Sequence, residues 1–483
     1  MTENPLYQPI DKNTPLVVDL DGTLIYTDLF HEGIISLLKK NLLFLFICFA
    51  WLFKGRVYLK NKIFANIQIS YKLLPYNIEL LEFLKTESEK GRKIVLATAS
   101  LKSQANEIGE LYPIFEEIYG TDNSINLKGS NKEELLVKQF GKGKFDYIGN
   151  SQSDLKIFAS CRYSYLVNPS NLLLKKTKKI SVLKNVWKHN KESWITYIKA
   201  IRAYQWVKNL LIFVPLITSH SFNSLNLIIQ DLKAFVSFSM IASAGYLIND
   251  LLDLNSDRSH PTKRYRPLAS GELRIVSATI LLFIFLTGGF YIASGIGLLF
   301  VAILLLYFIT SITYSLFIKR IALYDVFVLA LLYSLRIFAG GVVIDVSLSF
   351  WLIAFSTFIF LSLAFIKRYS ELIQIDNNES SLKSRGRQYS LVDLNLLQIM
   401  GIVSGFMSAI VFSLYINSSE VVKLYKNPNL LWGMSLLFLF WISRMWLITV
   451  RGNMTDDPII FAIKDKTSYF IFLLLGLIIA MAI

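Results

Sequence analysis

The stretch Asn249–Leu273 reads NDLLDLNSDRSHPTKRYRPLASGEL and stands between two long apolar runs. Asn249, Asp253 and Asp257 recur every four residues, so a helix that continues the preceding run would place them along one face. Asp250 is offset from Asn249 by about 100° and stays near that face. Ionisable groups at membrane depth are costly and are usually functional. The series therefore predicts a site at the end of a membrane helix.

Asn249, Asp250, Asp253 and Asp257, which we call the acidic motif, offer only oxygen ligands. Oxygen ligands suit Mg²⁺, which binds through a few carboxylates together with the phosphates of a substrate. Lys263, Arg264 and Arg266 follow at once and can bind the same phosphate oxygens. We predict that the acidic motif is catalytic and that Asn249, Asp253 and Asp257 bind Mg²⁺. The alternative, a helix end capped by acids beside a basic loop, explains only some of these charges.

The composition separates a mixed N-terminal part from an apolar C-terminal part. The 483 residues are 53% hydrophobic, and beyond Ile198 long apolar runs alternate with short basic loops. The net charge of +15 resides largely at the ends of these runs. That placement favours a membrane surface and phosphate-bearing ligands, and it argues against a nucleic-acid partner.

About nine candidate spans follow from the rule that roughly 20 apolar residues cross a bilayer. They lie near 207–222, 232–252, 276–296, 298–318, 324–344, 349–367, 396–416, 430–450 and 468–483, and the first and last are short. Lys and Arg crowd into alternate loops, and the other loops hold only Lys233, Lys423 and Lys426. The positive-inside rule places the basic loops, and with them the N-terminal part, on the cytoplasmic side of the cytoplasmic membrane.

The N-terminal part alternates strand and helix patterns. PLVVDLDGTLIYTD (Pro15–Asp28), KIVLATAS (Lys93–Ser100) and FDYIGNSQSD (Phe145–Asp154) begin as buried strands, and helices are predicted at Asn77–Lys90 and Asn131–Gln139. This alternation predicts a parallel α/β sheet. We expect this domain over residues 1–170, with a cap inserted at about 28–75. A basic linker that lies at the membrane interface would follow over 171–199, and the membrane domain over 200–483.

The cap contains the apolar stretch Asn41–Gly55, which is too short to span a bilayer. We interpret it as a cap helix that rests on the membrane interface, with a buried core helix as the alternative.

Polar side chains follow each of the three predicted strands. Asp19 and Asp21 are separated by one residue, so one carboxylate can attack phosphorus while the other transfers protons. Thr98 can bind the phosphate, and Lys132 or Lys128 can neutralise it. Asn150 and Asp154 would complete a Mg²⁺ site with Asp19 and Asp21.

The order of these motifs resembles the haloacid dehalogenase (HAD) superfamily, in particular its phosphoserine-phosphatase-type members. The resemblance covers roughly residues 13–170 and implies a Rossmann-like sheet with an aspartate nucleophile. Asn150 stands where the family usually has an acid, so the metal site brings less charge. A domain retained for docking or regulation is the alternative to an active phosphatase.

The acidic motif resembles the first aspartate-rich motif of UbiA-type membrane prenyltransferases, NDxxDxxxD with basic residues after it. The resemblance extends over about residues 198–483 and implies an all-helical bundle whose cavity binds Mg²⁺ and a diphosphate. The family's second acidic motif is altered here, since that loop reads KRYSELIQIDNNES (Lys367–Ser380).

IRAYQWVKNLLIFVPL (Ile201–Leu216) and LLYSLRIFAGG (Leu331–Gly341) resemble the branch of decaprenyl-phosphate phosphoribosyltransferases. That resemblance implies transfer of 5-phosphoribose from phosphoribosyl diphosphate (PRPP) to a polyprenyl phosphate, in cell-envelope synthesis. It also implies extra cations and polar groups that bind phosphates. The candidates are Lys208, Asn209, Arg258, Lys319, Arg336, Lys367 and Arg368. Positive-inside anchoring is the alternative role for each cation except Arg336, which lies within a span.

The fusion suggests that the HAD-like domain removes the 5-phosphate of the lipid product. Two other functions remain open, namely prenyl transfer from a prenyl diphosphate to an aromatic or other small acceptor, and a lipid-binding scaffold with decayed sites. The sequence is compatible with an oligomer.

Overall fold

The computed structural model describes residues 14–122, 126–189, 192–221, 223–376, 388–418, 421, 424–455 and 457–482. The chain forms two compact units. The first combines the chain up to Ile201 with Tyr246–Leu282, and the second combines Arg202–Gly245 with Phe283–Ile483. The acidic motif therefore belongs to the first unit.

The first unit is built on a six-stranded sheet of order β3-β2-β1-β4-β5-β6. Its strands are β1 (Leu16–Val18), β2 (Ile94–Leu101), β3 (Glu117–Thr121), β4 (Asp146–Gly149), β5 (Tyr163–Val167) and β6 (Val182–Trp187). Every neighbouring pair is parallel. The three residues of β1 are fully buried, because helices cover both faces of a parallel sheet. The predicted α/β class is confirmed.

The helices of the first unit lie between the strands and, at the end, beyond them. They are α1 (Leu29–Lys40), α2 (Phe44–Leu52), α3 (Arg56–Ala65), α4 (Ile78–Glu89), α5 (Lys102–Leu111), α6 (Ser130–Phe140), α7 (Leu155–Ser160), α8 (Asn171–Ile180) and α9 (Trp194–Ala200). The two helices predicted from the sequence, α4 and α6, begin and end within one residue of the expected bounds.

The segment 171–199, which we predicted as a basic linker, is instead largely folded into α8, β6 and α9. β6 pairs in parallel with β5, so that Tyr163 lies opposite Val182 and Val167 lies opposite Trp187. β6 forms the edge of the sheet. The lysines of this segment are compatible with a strand because an edge strand keeps polar side chains in solvent.

The predicted cap corresponds to α1, α2 and α3. Helix α2 carries the apolar stretch and has no buried residue. Phe46 and the adjoining Phe53 expose 73% and 81% of their surface. The buried-core-helix alternative is therefore wrong for α2.

The second unit is all helical and contains most of the apolar spans. It includes a 3₁₀ segment (Ala203–Phe213), α10 (Val214–Thr218), most of α11 (Leu225–Leu252), most of α13 (Ile275–Ser294), α14 (Leu298–Leu316), α15 (Tyr324–Val343), α16 (Phe350–Asp376), α17 (Leu394–Ile416) and the helices Trp432–Val450, Pro458–Lys464 and Lys466–Ala482. The short helix α12 (Leu254–Ser259) belongs to the first unit.

Seven helices of the described residues are long and apolar enough to cross a membrane, or eight if a bent pair is one span. Of the nine predicted spans, eight correspond to these helices if the bent pair is one span. The predicted span at 207–222 is a 3₁₀ segment followed by the short α10. The predicted last span, 468–483, corresponds to Lys466–Ala482, which is the second helix of the bent pair and meets Pro458–Lys464 at 83° beside Asp465.

Close backbone contact fixes α15 against the 3₁₀ segment within the second unit. A Cβ atom on Gly340 of α15 would lie 1.9 Å from the carbonyl oxygen of Ile212. Only glycine fits at this position, so Gly340 sets how close the two elements can come.

Candidate functional sites

The first candidate site lies at the carboxyl ends of β1, β2 and β4, where ligands bind in parallel sheets. Asp19 follows β1 directly and is 8% exposed. Lys132 of α6 donates a hydrogen bond of 2.7 Å to its carboxylate. The structure thus brings Lys132, one of the two predicted lysines, to the proposed nucleophile.

Asp21 is held by donors from two elements. The backbone N–H of Leu29, at the start of α1, donates to its Oδ1 atom over 2.9 Å. On β2, Ser100 donates to the Oδ2 atom over 2.7 Å, and Thr98 donates over 3.4 Å. Ser100 was missed by the sequence reasoning, although its position two residues after Thr98 places both on one side of β2.

The turn after Asp21 brings the third motif close. Gly22 has a φ of +74°, and a Cβ atom there would lie 2.1 Å from the side-chain Nδ2 atom of Asn150. Asp154 is buried and accepts hydrogen bonds of 3.1 Å from the backbone and the hydroxyl of Ser151. Tyr147 of β4, which the sequence reasoning did not identify, accepts from Lys132 over 3.2 Å and donates to Asp154 over 3.5 Å.

Burial shifts the carboxyl groups of this site toward neutrality. Burial raises the pKa of Asp19 to about 6 although Lys132 opposes the shift. Burial and the neighbouring Asp28 raise the pKa of Asp21 to about 7. A carboxyl group with a pKa near 7 can both give and take a proton at neutral pH.

The donor set of the first site fits Mg²⁺ by chemistry, since Asp19, Asp21, Asn150 and Asp154 supply only oxygen atoms near one edge of the sheet. Within the described ranges, no three Asp, Glu, His or Cys side chains converge as a complete metal cluster. Mg²⁺ commonly shares its coordination among a few protein oxygens, the phosphate of a substrate and water.

A cleft of about 50 Å³ opens beside this site within the first unit. Gly22 and Asn150 line one side, and Glu272 and Arg274 line another. The rings of Tyr26 and His189 stack there with their centroids 4.2 Å apart. The mouth of the site is thus shared between the sheet and the segment that follows the acidic motif.

The acidic motif spans the junction of α11 and α12. Helix α11 ends at Leu252, and Asp253 precedes α12. The backbone keeps helical hydrogen bonds through the junction, from Asp253 N to Asn249 O over 2.9 Å and from Asp257 N to Asp253 O over 2.8 Å. The predicted spacing along one face therefore survives a one-residue break in the helix.

Basic side chains engage this motif directly. Arg266 donates to Asp250 over 3.1 Å and to Asp257 over 2.7 Å. Burial raises the pKa of Asp257, and the positive charge of Arg266 works against that shift. Arg264 is exposed and donates to the hydroxyl of Tyr265 over 2.6 Å. Arg266, which was predicted to bind phosphate, therefore forms ion pairs with two of the acids of the motif.

Arg258 has a different set of partners. Its guanidinium donates two hydrogen bonds to Glu32 of α1, over 2.6 and 3.1 Å, and one to the carbonyl of Ala269 over 3.1 Å. The acidic motif is in this way attached to helix α1 of the same unit.

The second unit contains its own buried polar cluster. Lys208 of the 3₁₀ segment forms an ion pair with Asp457. Its neighbour Asn209 donates to Ser239 over 2.9 Å and accepts from Arg336 over 2.8 Å. Lys208, Asn209 and Arg336 were predicted from the sequence as site residues, whereas Asp457 was not.

Arg336 is 3% exposed within α15. Its other hydrogen bonds go to the carbonyl of Leu332 and to the hydroxyl of Tyr307. Its guanidinium also lies over the rings of Phe238, Tyr307 and Tyr333, at 5.3, 4.9 and 5.6 Å from their centroids. Among the described residues it forms no ion pair, so a full positive charge is held by neutral groups.

The altered second motif lies in α16. Arg368 is buried and forms ion pairs with Glu371 and with Asp325 of α15. Lys367 interacts electrostatically with Asp457. Lys319 lies in a short 3₁₀ turn, Ile318–Arg320, after α14. The side chain of Asp376 and the loop cations Lys383, Arg385 and Arg387 lie outside the described residues.

Comparison with known proteins gives relatives along nearly the whole chain. An uncharacterized protein, y4nM, of Sinorhizobium fredii is 33% identical over 466 residues, which cover 95% of this chain and 89% of that protein. A decaprenyl-phosphate phosphoribosyltransferase of Mycobacterium tuberculosis is 31% identical over 201 residues, which cover 40% of this chain and 65% of that enzyme. A solved UbiA homolog of Archaeoglobus fulgidus bound to GPP and Mg²⁺ is 18% identical, with a TM-score of 0.45, and covers 59% of this chain and 97% of that one.

The family profile agrees with the position of the membrane helices and the acidic motif. The profile of the UbiA prenyltransferase family matches residues 216–464, which include the acidic motif and α13 to α17. The long apolar helices make the protein an integral membrane protein. The protein therefore belongs to the UbiA prenyltransferase family and joins to it an N-terminal unit built on a parallel α/β sheet.

Proposed function

We propose that the UbiA part of the chain transfers 5-phosphoribose from PRPP to a polyprenyl phosphate and releases diphosphate. The named activity of the mycobacterial relative supports this substrate pair. The observation that carries the proposal is the charge of Arg336, which is buried within a membrane helix and has only neutral partners among the described residues.

A buried cation without an anionic partner is costly in a membrane protein, and a phosphate-bearing ligand would remove that cost. Lys208 lies close enough to Arg336 for the two charges to repel. A ligand that brings negative charge to both would relieve the repulsion. A reaction with PRPP and a lipid phosphate brings three phosphate-bearing groups to one enzyme, which is more than a prenyl diphosphate alone would bring.

The reaction is a substitution at the anomeric carbon of ribose. The bond from this carbon to the diphosphate breaks, the diphosphate leaves with the bonding electrons, and a phosphate oxygen of the lipid forms the new bond. Asn249, Asp253 and Asp257 would hold Mg²⁺, which supplies positive charge to stabilise the leaving diphosphate. Lys263 and Arg264 are proposed to bind phosphate oxygens at the same place.

The HAD-like part is proposed to remove the 5-phosphate of the ribosylated lipid. Asp19 would attack phosphorus and form an aspartyl phosphate while Asp21 protonates the departing sugar oxygen. Asp21 would then take a proton from water, whose oxygen attacks phosphorus, and phosphate would leave Asp19 free. Lys132 would balance the negative charge of the phosphate, and Thr98 would donate a hydrogen bond to it. Both sites are proposed to face the cytoplasm, where PRPP is available.

The test uses purified protein in detergent with Mg²⁺, polyprenyl phosphate and PRPP labelled in the ribose. The expected result is label in the lipid fraction, one diphosphate per transfer, and later release of phosphate that depends on Asp19. A parallel reaction replaces PRPP by a labelled prenyl diphosphate with 4-hydroxybenzoate as the acceptor. Transfer in this second reaction alone would replace the proposal by prenyl transfer, and transfer in neither would contradict both.

A further inference from the structure

We propose that Lys39, at the end of α1 in the HAD-like part, binds the diphosphate group at the acidic motif. The inference rests on the proposed function in that the diphosphate is taken to be part of the donor substrate. It adds a ligand from outside the UbiA sequence, since the family match begins only at residue 216.

The position of α1 beside the acidic motif is fixed by a buried ion pair. Glu32 and Arg258 make two hydrogen bonds, and each side chain is only 4% exposed. Glu32 also accepts from the hydroxyl of Thr27 over 2.6 Å. Loss of one member of such a pair would leave a buried charge, so this contact is held strongly. Helix α1 is therefore attached at one defined point.

The spacing of residues on α1 and in the acidic motif also brings Lys39 close to Asp253. Lys39 comes seven residues after Glu32, which is about two helical turns and returns to the same face. Asp253 comes five residues before Arg258, so the two segments run antiparallel. The ammonium group of Lys39 lies 3.7 Å from the Oδ1 atom of Asp253. A cation from the HAD-like part thus reaches the middle of the acidic motif.

The ion pair of Lys39 with Asp253 is more exposed to solvent than the ion pair of Glu32 with Arg258. The side chains of Lys39 and Asp253 are 44% and 25% exposed, so a ligand from solvent can reach both. A lysine ammonium on a flexible stem can move from a carboxylate to a nearby phosphate oxygen. Binding of Mg²⁺ at Asp253 would reduce the attraction of this carboxylate for Lys39 and leave the ammonium for the diphosphate.

The next residue provides a matched control. Lys40 has the same charge as Lys39 and lies in the same helix. Its ammonium group donates a hydrogen bond of 3.3 Å to the backbone carbonyl of Asn66. Replacement of either lysine by methionine removes one charge from the last turn of α1 and keeps an unbranched side chain that is one heavy atom shorter. A general effect of charge or of helix stability would therefore appear in both variants.

The experiment measures the binding of inorganic diphosphate with Mg²⁺ to the full-length protein by calorimetry. Lys39→Met is expected to weaken binding by about tenfold, as for the loss of one hydrogen bond between charged groups. Lys39→Arg should recover most of this loss, and Lys40→Met should bind within about twofold of the parent protein. The KM for the diphosphate donor should rise in parallel with the dissociation constant.

Equal binding by Lys39→Met and the parent protein would overturn the inference, and so would an equal loss in Lys40→Met. The proposed function fails separately, if the parent protein transfers nothing from PRPP. In that case the diphosphate-binding comparison still decides the role of Lys39, because it requires no turnover.

Discussion

Replacement of Gly340 by alanine tests how closely α15 must approach the 3₁₀ segment Ala203–Phe213. The new Cβ atom would lie 1.9 Å from the carbonyl oxygen of Ile212 and 3.1 Å from Cδ of Pro215. A carbon and a carbonyl oxygen in contact are about 3.3 Å apart at the closest. The two elements would thus have to separate by roughly 1.4 Å, and the opposing atom is backbone that cannot rotate away.

The separation acts on the buried polar cluster of the second unit. The 3₁₀ segment carries Lys208 and Asn209, and the hydrogen bond from Arg336 to Asn209 is 2.8 Å long. An increase of about 1 Å takes this bond beyond hydrogen-bond distance. Overpacking costs about 1–3 kcal/mol, and a hydrogen bond to a charged group contributes about 1.5–3 kcal/mol. We expect Gly340→Ala to lose about 3 kcal/mol of stability and most transfer activity.

The assay is unfolding of the purified protein in detergent, followed by tryptophan fluorescence and compared with Gly341→Ala. A Cβ atom on Gly341 would lie 2.8 Å from the tip of the Leu348 side chain, which can move, and 3.2 Å from the carbonyl oxygen of Val346, which is only about 0.1 Å inside contact distance. The control should therefore lose less than about 1 kcal/mol and keep its activity. Equal stability of the two variants would refute the reasoning, because it would mean that the backbone contact at Ile212 is not limiting.

Three further results are expected. Asp19→Asn should abolish phosphate release and leave ribose transfer to lipid unchanged, as measured with the labelled substrates; loss of both activities would show that the two sites are not independent. Asp253→Asn should abolish diphosphate release while gel filtration shows a folded protein, and retained turnover would remove the acidic motif from catalysis. Arg92→Met should lower the free energy of unfolding by about 3–5 kcal/mol, because Arg92 is 2% exposed and pairs with Glu87 and Asp146; a change below 1 kcal/mol would contradict this.

The sequence was informative where the signal is local. Asp19 and Thr98 could be placed because each belongs to, or directly follows, a short buried apolar run, and parallel strands bring such positions to one edge. Lys132 could be named only as one of two lysines, since its distance from the sheet edge depends on where α6 begins. The spacing of the acidic motif was also predicted correctly, because helical hydrogen bonds continue across Asp253.

The features that were missed depend on partners far apart in the chain. Asp457 lies 249 residues after Lys208, and no local pattern links them. The edge strand β6 was taken for a linker because Lys184 and Asn185 interrupt its apolar residues and further lysines flank it. The predicted span at 207–222 is a 3₁₀ segment and a short helix instead, because apolar composition does not distinguish these from one continuous helix.

The construction of the first unit from two separate stretches has a consequence for biogenesis. Arg258 is made 226 residues after Glu32, and the intervening chain includes the first long apolar helix. At about 5–20 residues per second, Glu32 waits roughly 11–45 s for its partner. During this time the newborn N-terminal part has an unpaired acid on α1 and an unfinished cleft. The first unit can therefore be completed only after the chain of α11 has been synthesised, so its folding cannot finish before the first long apolar helix is available for membrane insertion.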